Sequence, residues 1–148
     1  MDNLIIRECT YGDIEHVINL HRQWQAEEIT YGFVPADKSF LEEKLGKYFY
    51  IAELNTEIIG FAYGTIHMAE NMCIFNDGEY YIEVDDIYVS PKYRKTGVGS
   101  LLLDKLLNVV KENGIERSLI YSSTKDIDCI MRFYKKHGYK TWYIQMYK

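Results

Sequence analysis

The sequence predicts a single α/β domain: a meander of antiparallel strands leading into a strand–helix–strand unit, with helices on both faces of a mixed, mostly antiparallel sheet. Three observations predict it. Apolar runs punctuated by hairpin signals fill the middle of the chain, helical periodicity takes over after Pro91, and the alternation of one central strand changes phase at Asp85-Asp86. The chain has 148 residues, with 47% apolar and 26% charged side chains. That is enough material for one core, and residues 1–148 read as one domain without linker or repeat.

The elements follow in order. Leu4 to Cys9 reads as a first strand. Thr10 followed by Asp13 resembles a capping box that opens a helix through Ile14, Val17, Ile18 and His21, running to about Glu27-Glu28. Tyr31 to Pro35 is a loop, and Asp37 to Gly46 carries a second helical register. Tyr48–Leu54, Glu57–Met68 and Glu79–Ser90 are strand-like, with Asn55-Thr56 and Asn76-Asp77-Gly78 as turns. Gly60 and Gly64 interrupt the middle run and mark bends or close contacts. Beyond Pro91, Val98, Leu102, Leu106 and Val109-Val110 form one stripe of a helix that ends at Asn113-Gly114. A strand from Arg117 to Ser122, a helix from Thr124 to His137 and a final strand from Tyr139 to Tyr147 complete the reading. The strand–helix–strand unit is expected to pair in parallel.

Bulk properties exclude several classes. The net charge of −5 offers no basic stripe for nucleic acid and favours a cationic small molecule. No apolar run is long enough to span a membrane. The start, Met1-Asp2-Asn3-Leu4, lacks the basic opening of a secretory signal. Cys9, Cys73 and Cys129 are far apart, odd in number and without metal-type spacing, so they read as reduced thiols in a cytoplasmic protein that holds no metal.

The segment Arg94-Lys95-Thr96-Gly97-Val98-Gly99-Ser100 joins a strand to a helix. Glycines there allow close backbone approach, and a helix start offers unpaired N–H groups at a positive dipole end. Such a turn suits a pyrophosphate, with Arg94 and Lys95 adding charge. Neither a P-loop nor a dinucleotide fingerprint fits, because Gly99 is followed by Ser100-Leu101 and position 102 is Leu102. Taken alone, a glycine-containing helix start without a ligand is an equal reading.

In the strand before it, Ile82 and Val84 fall on one parity and Ile87 and Val89 on the other. A bulge near Asp85-Asp86 would account for this and would splay the strand from its neighbour. A strand covered on both faces would also account for it. Adjacent acids in an apolar strand are costly unless partnered. Facing solvent or pairing with a lysine is the ordinary reading of such acids.

Asp86 to Leu102 closely resembles the central motif of the GCN5-related N-acetyltransferase (GNAT) family. Phe133-Tyr134-Lys135-Lys136-His137-Gly138-Tyr139 is similar to that family's second motif, with Tyr139 in place of Phe, and the element order matches over essentially the whole chain. The resemblance implies acetyl-CoA as donor. Its pyrophosphate would meet the backbone of Lys95, Thr96, Gly97, Val98, Gly99 and Ser100, with Arg94 opening the motif. Its pantetheine arm would pair with Ile87, Tyr88 and Val89. The resemblance also implies a bulge at Asp85-Asp86 and Tyr134 as donor of a proton to the leaving thiolate. An alkylammonium, with a pKa of roughly 10, must lose a proton before attacking the thioester, and a carboxylate can accept it. Asp85 stands at the place of the family's base, with Glu83, two residues earlier, as the alternative. Ile127 stands where many members place Asn, so that contact is in doubt.

In this family the acceptor pocket is built from the first two helices and the C-terminal strands, which makes Trp24, Glu27, Glu28, Tyr31 and Phe33 candidate acceptor contacts. The segment after Gly138 is too short for the usual closing hairpin, leaving the pocket open or completed by a second copy in a homodimer. The leading expectation is acetyl transfer to a small cationic primary amine by direct attack in a ternary complex. Acetylation of a protein lysine or N-terminus, or a non-catalytic acyl-CoA-binding module, are the alternatives.

Overall fold

The computed structural model describes residues 3–148; the acidic start at Met1-Asp2 lies outside the described residues. Five strands form one sheet in the order β1-β2-β3-β4-β5: β1 (Leu4–Glu8), β2 (Phe49–Leu54), β3 (Glu57–Met68), β4 (Tyr80–Val89) and β5 (Arg117–Ile120). The first four are antiparallel neighbours, and β5 runs parallel to β4. The strand–helix–strand expectation is met, because a helix between β4 and β5 permits a crossover that a tight turn does not.

The helices α1 (Ile14–Glu27) and α2 (Lys38–Lys44) cover one face, and α3 (Val98–Glu112) and α4 (Ile127–Lys136) belong to the other. Ile14, Val17, Ile18 and Leu41 pack on Phe49, Phe61, Tyr63 and Tyr88. On the other face Val98, Leu102, Leu106 and Val110 pack on Tyr50, Ala62, Ile82 and Val84. Ahead of α1 lies a short 3-10 turn, Tyr11–Asp13. There the Asp13 carboxylate accepts from the Thr10 N–H and hydroxyl at 2.8 and 2.7 Å and forms a two-pronged ion pair with Arg7 of β1. This contact ties the start of α1 to the sheet edge.

The phase change on β4 is a bulge. Tyr63 pairs with Asp86 and Gly64 with Val84, so Asp85 is an extra residue with no partner on β3. Before it Ile82 and Val84 face α3; after it Ile87 and Val89 do, while Tyr88 turns to α1. Pairing with β5 stops at the same place, since Val84↔Ile120 is the last rung. The two strands part there.

The C-terminal end corrects the expected final strand. Tyr139 to Lys148 forms no ladder. The Tyr139 hydroxyl meets Ser118 Oγ at 2.6 Å, and Trp142 Nε1 donates to Cys73 Sγ. Farther on, Tyr147 reaches the hydroxyl of Tyr31. Strand-forming side chains make a strand only where a ladder partner and a covered face exist. Here Tyr143, Ile144, Met146 and Tyr147 are exposed instead. The last helix also starts later than expected, at Ile127, because Thr124 is engaged in a bridge to Thr30.

Both glycines of β3 mark close contacts. A Cβ on Gly64 would lie 2.5 Å from the Glu83 carbonyl oxygen and 2.9 Å from the Ile82 side chain, beside the bulge. Gly64→Ala is expected to destabilise the fold by about 2 kcal/mol and to lower the thermal midpoint by roughly 6 °C, measured by calorimetry.

Candidate active site

The parting of β4 from β5 leaves the edge of Asp85–Val89 without a ladder partner on that side. Ser90 N–H donates to Ile59 at 2.9 Å. In an antiparallel pair alternate residues exchange bonds, so Tyr88 turns its backbone groups to β3 while Ile87 and Val89 turn theirs to the open side. The Val89 carbonyl is taken by Arg94 Nε at 2.9 Å. The Ile87 N–H and C=O and the Val89 N–H remain, spaced to receive a chain of amides as an added strand would be received.

At the end of β4, Pro91–Tyr93 forms a 3-10 turn and Thr96 Oγ1 caps the Tyr93 carbonyl at 2.5 Å. Lys95 and Gly97 take left-handed φ values of 62° and 93°. These fold the backbone back so that α3 begins at Val98, and at Gly97 a side chain would be strained. The first intrahelical bond runs from Leu101 N–H to Gly97 O, so the N–H groups just before it are unpaired and point out of the helix start. The site carries two features acetyl-CoA requires: anion-seeking N–H groups for phosphates, and an open strand edge for the pantetheine amides.

Arg94 departs from the expected role as a free cation. Its guanidinium binds both oxygens of Glu27 at 2.7 Å and lies over the Tyr88 ring. Tyr88 OH donates to the same carboxylate at 2.6 Å. Arg94 thus ties the phosphate-type turn to the end of α1, and Glu27, expected as an acceptor contact, is committed to that tie. Lys95 is exposed.

Three carboxylates of β4 lie along the face toward α1 and α2. Asp85, freed by the bulge, accepts from Lys44 Nζ at 3.0 Å and Thr65 Oγ1 at 2.6 Å. Asp86 accepts from the buried Tyr63 hydroxyl. Burial pushes the Asp86 carboxyl up to about 6, the Asp85 charge adds to this, and the Tyr63 hydrogen bond opposes it. Glu83 stands 3.3 Å from His67 Nε2. Tyr134, on α4, packs edge-on to Phe133 and Tyr139. Burial raises its hydroxyl well above the ordinary tyrosine range, with Tyr139 and the Asp86 charge adding to the effect. The Asp86 field therefore reaches the helix that carries Tyr134. Tyr121 is likewise raised, by burial and by all three acids.

At the end of α1 a cavity of about 370 Å³ is lined by Trp24, Gln25, Glu28, Thr30, Gly32, Phe33 and Lys125. Trp24 stacks between Phe33 and Tyr88, at 4.3 and 5.1 Å between centroids. Of the expected acceptor contacts, Trp24, Glu28 and Phe33 share this cavity; Glu27 and Tyr31 do not line it. A short ladder closes its floor: Tyr31 N–H donates to Ser123, and Lys125 N–H donates to Ile29.

A family model for the acetyltransferase (GNAT) family matches residues 14–139. The chain belongs to the GNAT family. As a GNAT protein it is an acetyl-CoA-dependent N-acetyltransferase, and the strand edge and helix start described above fit that donor. Solved structures share the fold. A predicted acetyltransferase with acetyl-CoA from Clostridium acetobutylicum is 21% identical, with a TM-score of 0.73 over 97% of this chain and 96% of that one. An aminoglycoside acetyltransferase from an uncultured soil metagenomic sample, in complex with trehalose, is 20% identical, with a TM-score of 0.74 over 99% and 96%. The acetyltransferase AAC(6')-Iy, in complex with a bisubstrate analog, is 20% identical, with a TM-score of 0.73 over 98% and 97%. A search of curated proteins finds no match.

Lys44, Thr65, Tyr63 and Tyr121 escape sequence reading. Their importance comes from the β3–β4 register and from where α2 ends, and neither has a local signature. Tyr63→Phe removes the donor that favours the charged form of Asp86. Its carboxyl is then expected to titrate above the wild-type value of about 6, followed by carboxyl-carbon NMR. The folded carboxyl holds its proton more tightly than an unfolded one, near 3.9. Asp86 therefore lowers stability as pH rises from about 4 to about 6, and Asp86→Asn is expected to flatten that decline in denaturant titrations.

Proposed function

We propose that this GNAT enzyme acetylates the primary amine of a small cationic molecule by direct attack in a ternary complex. The observation that carries this reading is the set of acids on the α1–α2 side of β4, on the same strand as Tyr88, against which Trp24 of the aromatic cavity stacks. The donor supplies an acetyl thioester. Unpaired N–H groups from Lys95 to Ser100 hold its phosphates, and Ile87 and Val89 hold its amide arm.

Glu83 and Asp85 attract the ammonium; Asp85, expected as the base, is held by Lys44 and Thr65, so in this reading Asp86 takes the proton instead, directly or through water. A carboxyl pushed up to about 6 suits that task near neutral pH better than an ordinary aspartate would. The freed amine lone pair forms the new C–N bond as the C–S bond breaks. Tyr134 gives its proton to the departing sulfur and is reprotonated by the second proton that the nitrogen sheds on becoming an amide, so no charge is left on a hydroxyl whose ionisation burial disfavours.

The aromatic wall made by Trp24 between Phe33 and Tyr88, with Glu28 beside it, supports a small cationic acceptor. Similar folds in enzymes named for aminoglycosides, which are polyamines, support a cationic one. The exposed Trp142, Tyr143, Ile144, Met146 and Tyr147 support a second copy covering the C-terminal segment. Free Cys9, Cys73 and Cys129 support a reducing, cytoplasmic setting.

Thiol release from acetyl-CoA across a panel of mono- and polyamines tests the reading. Turnover with at least one small amine is expected, and silence across the panel, with acetyl-CoA bound, would refute it. With the best amine, Tyr134→Phe is expected to lower kcat by roughly 10- to 100-fold with little change in KM.

A further inference from the structure

At the start of α3 a second polar cluster takes no part in the chemistry above. His137 caps the C-terminal end of α4, and its ring packs on Phe133 at 4.9 Å between centroids. Its Nδ1 lies 2.9 Å from Asp104 Oδ1, and its Nε2 lies 3.1 Å from Ser100 Oγ. The His137 side chain is 8% exposed, whereas Asp104 is 56% exposed. Asp104, one turn beyond Ser100 on α3, thus grips one edge of a covered imidazole whose other edge touches the helix start.

The donor and acceptor inventory fixes what each form of this chain can do. A carboxylate only accepts, so Nδ1 carries a hydrogen in both charge states of the ring. In the neutral ring Nε2 is bare, and the Ser100 hydroxyl must donate to it. The hydroxyl then presents only lone pairs to anything above the helix start. In the imidazolium Nε2–H donates to Ser100 Oγ, and the hydroxyl hydrogen is free to point at an anion. Ser100 sits among the unpaired N–H groups assigned to the donor's phosphates, so the two states differ in how well they receive phosphate.

We propose that binding of acetyl-CoA is coupled to proton uptake at His137, which turns the Ser100 hydroxyl toward the donor's pyrophosphate. His137 is a positioning residue in this arrangement, and Ser100 is the contact. The charges around the ring favour the coupling. From α3 it faces Asp104, and the carbonyl end of α4 adds a negative dipole. Lys135 and Lys136 precede it on α4 and are exposed. Ser100 and Phe133, its other neighbours, carry no charge. An arriving pyrophosphate adds the remaining negative charge.

The proposal rests on the donor seat at α3 and not on the identity of the acceptor. Its test uses 3′-dephospho-coenzyme A, which keeps the pyrophosphate but lacks the phosphate monoester, whose second ionisation near 6 would itself take up protons. Calorimetric titrations in buffers of different ionisation enthalpy at pH 7 are expected to show net proton uptake by the wild-type protein. Affinity is expected to be on the order of fivefold higher at pH 6 than at pH 8, the sign required when the bound state holds more protons. His137→Gln, which offers Ser100 a neutral amide, is expected to bind equally at both values.

Equal wild-type affinities without proton uptake would overturn the proposal, as would an undiminished pH dependence in His137→Gln. If that variant does not fold, the wild-type buffer comparison decides alone. Failure of the probe to bind at either pH would overturn the donor seat at α3 and this coupling with it. Neither result would bear on which amine is acetylated.

Discussion

Everything functional in this molecule depends on one extra residue in β4. Asp85 has no partner on β3, and its insertion reverses which side chains of the strand face which layer. Upstream, β4 is an ordinary central strand held on both edges. Downstream, one edge is free, and Asp86 and Tyr88 have swung toward α1 and α2. Without the bulge, Asp86 would point at α3, and parallel pairing could continue past Val84. A single insertion therefore frees one edge of β4 and turns Asp86 toward α1 and α2, which is what the proposed donor slot and acceptor side both require.

Charge around that slot is arranged in pairs that leave few groups free. Arg94 is neutralised by Glu27, Asp85 is held by Lys44, and Arg7 is locked to Asp13. Half-buried pairs of this kind contribute little net stability, because desolvation offsets most of the attraction. They contribute position instead. The Glu27–Arg94 pair joins the end of α1 to the turn before α3, so the acceptor-side helix and the phosphate-type turn share one strut. Asp86 is the exception: its partner, Tyr63, is uncharged. Burial is the reason its carboxyl is pushed up, and the hydrogen bond from Tyr63 opposes that shift only in part.

Sequence reading recovered what repeats locally. The apolar periods of α1 and α3, the hairpins, and the parity change at Ile82-Val84 against Ile87-Val89 are each visible within a dozen residues. The turn at Gly97 and the helix bearing Tyr134 were legible for the same reason. What was not legible depends on pairing between distant segments. That Arg94 turns inward to Glu27, or that Lys44 reaches Asp85, follows from packing α1 and α2 on the sheet. The final strand failed for a related reason: Tyr139 to Tyr147 has the composition of a strand, but a ladder needs a partner as well as a propensity.

The short ladder between residues 29–31 and 123–125 has a further consequence. It joins the loop that walls the aromatic cavity to the loop that launches α4, and Tyr134 rides on α4. In the proposed mechanism, the residues that would select the acceptor and the residue that would serve the leaving group are therefore not separate modules. Substitutions that reshape the wall near Thr30 and Phe33 will shift the helix behind them, so acceptor scope and turnover will change together. Variants selected for new acceptors from this scaffold should accordingly show strong epistasis between the two loops, with compensating changes at 123–125 following those at 29–33.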